Sequence, residues 1–147
     1  MRYSRLHTLA GRGHAGAWST RASNALQWIK ADLGGVKTVQ AAITQGRADS
    51  NQWVLRFRIA FSLDDVTYEA VRGSSGAVQT FTGNVDRSTQ MTNTFSTPLV
   101  ARFVRLHPAS WRNWISLRWE LIGCDYGKIG LDLYCIACVR KCARRQP

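Results

Sequence analysis

The sequence predicts an all-β sandwich or barrel, and three observations carry that reading. In the clearest segments hydrophobic residues recur at every second position. Turn-forming clusters punctuate the chain at fairly even spacing. No segment shows a convincing amphipathic helical period. Many short strands in this arrangement indicate an antiparallel β domain. The chain has 147 residues, enough for one domain with a full core and hardly enough for two. Hydrophobic residues make up 45% and charged residues 20%, a balance that excludes a disordered chain.

The elements follow in order. Residues 28–33 are the first strand candidate, closed by the turn cluster "LGG" at 33–35, and residues 38–44 are the second, closed by "GRADSN" at 46–51. In "QWVLRFRIAFS", Trp53, Leu55, Phe57, Ile59 and Phe61 alternate with Val54, Arg56, Arg58, Ala60 and Ser62. A strand puts the first set on the core face and the arginines on the other, whereas a helix would scatter the five large residues. "LDDV" at 63–66 reads as a hairpin turn. Residues 68–71, 79–82, 92–95 and 101–106 are further candidates, separated by "RGSSGA" at 72–77 and "GNVDRS" at 83–88. The last is the plainest: Ile115, Leu117, Trp119 and Leu121 alternate with Ser116, Arg118, Glu120 and Ile122. Phe57, Phe61 and Trp119 are expected in the core. The segment after Gly123 loses the period and reads as an appendage with a short helix around 131–140.

Charge and motifs narrow the function. Twenty Lys and Arg stand against nine Asp and Glu, a formal net charge of +11. From Cys124 on, Lys128, Arg140, Lys141, Arg144 and Arg145 outweigh Asp125 and Asp132. The rest is spread without a long basic run. This favours anionic partners without naming one. The basic and aromatic residues of "RFRIAF" and "WRNWISLRW" invite a nucleic-acid reading. Their rings fall mainly on the buried face, however, and the alternation does not gather the arginines on one side, so no nucleic acid is expected. Cys124, Cys135, Cys138 and Cys142 crowd the end of the chain. C-x2-C-x3-C lacks the two spaced pairs of a zinc site and the α/β context of a redox site. We expect no metal there. Disulfides within the tail or to another chain rank next, after a tail with no evolved role. His7, His14 and His107 are scattered, no nucleophile–base arrangement or carboxylate pair has a definite spacing, and no phosphate loop occurs, so no enzyme is expected. "MRYSRLHTLAGRGHAG" lacks the apolar run of a signal peptide.

The order of the pieces "QWIKADLGGVKTVQAAITQG", "WVLRFRIAFSLDDVTYEAV", "FTGN" and "PLVARFVRLHPASW" with "ISLRWELIGC" closely resembles the coagulation factor V/VIII type C domain, also called the discoidin domain. The resemblance runs from about Ser4 to Cys124. It implies a discoidin-like (galactose-binding-like) jelly-roll β-sandwich over residues 1–124, with 125–147 a basic, cysteine-bearing tail outside the fold. It further implies an opening segment with a first strand, a first ligand loop and a cysteine that pairs with the equivalent of Cys124. The chain is therefore expected to be N-terminally incomplete and to lack that disulfide partner.

For function, the resemblance implies an extracellular or cell-surface module for adhesion or lectin-like recognition, without cofactor; it does not define an oligomeric state. Ligands would be held by loops at one end of the barrel. These would be loop 14–26, with Trp18 and Arg21, and loop 46–53, with Arg47, Asp49, Ser50 and Asn51. Trp111 and Asn113 resemble a loop at the same end, and Arg118 resembles an arginine near the floor of the groove. The bland alternative pairs Arg118 with Glu120 and makes Trp111 a packing residue. Glycan or an extracellular protein is the favoured partner, because Asp49 at the tip would be desolvated and repelled at an acidic bilayer. Anionic phospholipid is the second.

Overall fold

The computed structural model describes residues 4–11, 13–127 and 137–138. Among them there are eight strands and no helix: β1 (Trp18–Ser19), β2 (Ile29–Gln45), β3 (Trp53–Ser62), β4 (Glu69–Ala70), β5 (Phe81–Thr82), β6 (Met91–Arg112), β7 (Ser116–Asp125) and β8 (Ala137–Cys138). All pairings are antiparallel, in the order β1-β7-β2-β6-β3-β4, with β5 also on β3 and β8 on β7.

Two long strands organise this jelly roll. β2 has 17 residues and β6 has 22, where the sequence suggests two short strands in each. "LGG" is a bend inside β2, not a turn that ends it. The register with β6 shifts between Asp32 and Lys37 and again between Val39 and Ala41. Gly34 takes φ 76°, a left-handed conformation that glycine adopts without strain, and its N–H donates to Asp32 Oδ1 at 2.9 Å. These bends let each long strand serve two layers. β2 pairs with β7 over residues 37–45, and β6 pairs with β3 over residues 103–112.

The layers enclose Ile29, Val39, Val54, Phe57, Ile59, Val104, Leu106, Ile115, Leu117 and Trp119, all fully buried. Phe81 stacks on Phe57 at 5.5 Å between ring centroids and meets Phe95 edge-on at 5.6 Å. Each such side chain contributes about 2–3 kcal/mol by leaving water.

Two alternations depart from expectation. In β3 the register slips on both sides of Arg56. The bulge resets the faces, so Val54 is buried and Leu55 only half-buried; Phe61 is likewise half-buried against the core. In β7 the face expected to be polar is covered too, and Ser116 and Arg118 are buried. Ser4 lies across it: the Trp119 N–H donates to Ser4 O at 2.7 Å. Most of the helix expected over 131–140 lies outside the described residues. The part described, β8, is a strand whose Ala137 and Cys138 sit opposite Gly123 and Ile122, so the tail lends that pair to the sheet.

Candidate functional site

The end of β2 lies beside the start of β7, with Gln45 opposite Arg118. Residues 5–11 and 13–17 and loops 46–52, 83–90 and 113–115 gather at this end. Arg118 lies beneath three of them and is only 4% exposed. Its Nε donates to Gly46 O at 2.7 Å, Nη1 to Thr8 O at 3.2 Å and Nη2 to Arg87 O at 2.6 Å. A planar fork of fixed donors suits three separate backbone carbonyls in a way an ammonium does not. Burial pushes the guanidinium pKa below its ordinary value. The pairing with Glu120 does not form; Glu120 Oε1 instead accepts from Arg5 Nε at 3.2 Å.

Two buried amides repeat the device. Gln45 Oε1 accepts the His7 N–H at 2.9 Å, and its Nε2 donates to Ser88 O at 2.6 Å. Asn84 Nδ2 donates to Thr44 O at 3.0 Å and Thr89 O at 2.8 Å. Sequence reasoning missed both as site-building residues. The signal was present for Asn84, which is the last letter of "FTGN". Gly83 is needed for close approach: a Cβ there would lie 2.2 Å from Val54 O.

Loop 46–52 is braced internally. Arg47 Nε and Nη2 donate to Asp49 Oδ1 and Oδ2 at 2.7 and 3.0 Å, and Nη1 donates to Gln52 Oε1 at 3.0 Å. The guanidinium draws the Asp49 pKa down to about 2. Asp49 Oδ1 also accepts the Gly16 N–H at 3.3 Å, which ties this loop to the segment 13–17. Arg47 and Asp49 thus hold each other, with Asp49 still exposed, and the pair carries no net charge to be repelled.

Asn113 takes φ 56° and donates from Nδ2 to Asn51 O at 2.8 Å. Trp114 Nε1 donates to Thr20 O at 2.9 Å, which brings the neighbourhood of Arg21 to the same end. The side chains of Arg21, Asn51 and Asn113 are exposed, and Ser50 is half-buried. Trp18 is no loop residue: it is 7% exposed on β1, opposite Leu117. Trp111 packs half-buried against the core. Cys124 stands at the other end of β7, opposite Thr38 and half-buried. Of the expected residues, then, the structure gathers Arg21, Arg47, Asp49, Ser50, Asn51, Trp111, Asn113 and Arg118 at one end. Arg21, Asp49, Asn51 and Asn113 are exposed there and Ser50 is half-buried, with Asp49 already engaged by Arg47.

An antiparallel jelly roll with one loop end fastened from below is a scaffold for presenting a recognition surface. A model of the F5/8 type C domain family matches residues 3–121, and the chain belongs to that family. It is 39% identical to lactadherin of Rattus norvegicus over 124 residues, covering 83% of this chain and 29% of lactadherin. The chain thus spans under a third of that relative's length. Among solved structures it is similar to discoidin II of Dictyostelium discoideum, with TM-score 0.74 and 31% identity over 84% of this chain and 49% of that one. The family 32 CBM of C. perfringens NanJ, solved in complex with galactose, shares the fold at TM-score 0.51 and 19% identity, over 70% of each chain.

Proposed function

We propose that the chain is a non-catalytic, extracellular recognition module that takes a glycan or a protein surface on its loop end. The observation that carries this reading is the fastening of three loops onto one buried guanidinium. That base fixes the loop that carries Ser50 and Asn51, while the Asn113–Asn51 and Trp114–Thr20 hydrogen bonds hold the backbones beside Asn113 and Arg21, so all four are presented at low ordering cost. Those side chains supply donors and acceptors for sugar hydroxyls or a polar protein surface. The galactose-bound module of the same fold supports a sugar. A glycan array probed with the wild type and with Arg21→Ala, Asn51→Ala and Asn113→Ala tests it. The expected result is loss of about tenfold in affinity for the preferred sugar in at least two variants. Undiminished binding in all three would reject the loop end as the site.

A second reading, peripheral binding of anionic phospholipid, is favoured by Leu9 and Leu26, which are 74% and 79% exposed. Apolar side chains beside basic groups form a two-part membrane anchor. Co-sedimentation with phosphatidylserine vesicles that Leu9→Ser and Leu26→Ser abolish is the expected sign. Sedimentation independent of the serine lipid would dismiss it.

A further inference from the structure

The arginines, expected to be dispersed by the strand alternation, do gather on one wall. Phe57 and Ile59 point into the core, so Arg56 and Arg58 of β3 point out, and both are exposed. Directly opposite them on β6 stand Ser110 and His107, and Arg105 follows opposite Ala60. Lys30 of β2 is opposite Arg105. Asp65 takes up Lys30 at 2.5 Å and Arg105 at 3.7 Å. No carboxylate within 4.0 Å answers Arg56 or Arg58 among the described residues. Between Arg58 and His107 the wall is concave, a hollow of about 350 Å³ with Ala25, Ala60, Pro108 and Ala109 around it.

We propose that this wall is a second binding site, separate from the loop end, for a sulfated glycan chain. Arg58 and His107 take one sulfate in the hollow, and Arg56, two residues along the strand, takes a neighbouring one. Guanidinium groups match such oxyanions with paired donors. Hydroxyls flank them for the sugar: Thr80 Oγ1 is 3.5 Å from Arg58 Nε, and Ser110 and Thr82 are the strand partners of Arg56. A single-stranded nucleic acid would need free rings for its bases. The two rings beside the wall, Trp28 and Tyr68, are occupied by Arg105, whose Cζ lies 4.3 and 3.7 Å from their centroids. A bilayer would need more protruding apolar surface than Val78 at the rim.

His107 adds a pH dependence. Burial, with Arg105 and Arg58 beside it, holds its pKa below the ordinary histidine value. Arg58 faces it from β3. Arg105 on its own strand is backed by Lys30 and Asp65, and Ala25, Ala70 and Val78 on the remaining sides do not titrate. A sulfate in the hollow favours the protonated ring, so binding tightens as pH falls from 7.5 to 5.5.

Calorimetric titration with a fully sulfated heparin octasaccharide tests the proposal. Its desulfated counterpart, a single-stranded DNA 16-mer and phosphatidylserine vesicles serve as comparisons. The expected result is binding of the sulfated chain alone, weakened about tenfold or more in the Arg56→Ala/Arg58→Ala double variant. The gain at pH 5.5 should vanish in His107→Gln. The lysine pair Arg56→Lys/Arg58→Lys should recover only part of the affinity lost in the alanine pair, because it keeps the charge and loses the paired donors. Arg21→Ala and Asn51→Ala should leave it unchanged, which separates this site from the loop end. Equal affinity in the double alanine variant, loss only in the loop-end variants, or equal binding of DNA or vesicles would overturn it.

Discussion

Removing the Arg118 guanidinium tests the design of the loop end most directly. Arg118→Met keeps the stem and deletes the fork. Three backbone carbonyls, on residues 8, 46 and 87, then lose a charged donor beneath the loops. A hydrogen bond to a charged group is worth about 1.5–3 kcal/mol, and a buried acceptor left unmade costs about 1–3 kcal/mol. Methionine also relieves the desolvation of a buried cation, which returns part of the loss. The net expectation is a destabilisation of about 3 kcal/mol, a large share of the roughly 5–15 kcal/mol that holds a domain together. Urea unfolding should show a lower midpoint with the slope unchanged. Arg118→Lys should recover less than half, since one ammonium cannot reach three diverging carbonyls. A loss under 1 kcal/mol in Arg118→Met, or full recovery by lysine, would refute the reasoning that one guanidinium fastens the three loops.

Other expectations are simpler. Asp49 is held down to about 2 by Arg47 against an ordinary 3.8. Its contribution is therefore complete above about pH 4 and is lost as pH falls through 2. The stability slope over that window, followed by urea midpoint, should flatten in Asp49→Asn. Gly83→Ala drives a methyl into the Val54 carbonyl at 2.2 Å, so the backbone must shift at a cost of about 1–3 kcal/mol; thermal unfolding should show a Tm several degrees lower. Asn84→Ala removes the donor to Thr44 O and Thr89 O and should cost about 2 kcal/mol by the same measurement.

The strands were legible in the period of their large apolar residues. Ile115, Leu117, Trp119 and Leu121 alternate and are buried as the period requires. The burial of Arg118 between them was not legible, because its cover comes from loops around residues 8, 46 and 87, far away in the chain. The splitting of β2 and β6 into shorter pieces has a local cause. Gly34, Gly35 and Pro98 signal a break, and a break in a pleated strand looks alike in sequence whether it ends the strand or bends it. Arg47 and Asp49 lie on the loop 46–52 of this end. Their mutual capture depends on side-chain directions that spacing does not fix. The gathering of Arg56, Arg58, Arg105 and His107 needed the cross-strand register, which no single segment contains.

The long central strand also dictates how the molecule must assemble. β2 finds its partners on one side among residues 91–106 and on the other among 118–125. Nothing made before residue 91 can close either of its hydrogen-bonding edges. Synthesis must therefore run almost to the end of the domain before the middle of the sheet is satisfied. Pairings this distant place folding in the millisecond-to-second range typical of β topologies. Until β7 emerges, the nascent chain carries an open edge on which intermolecular association can begin.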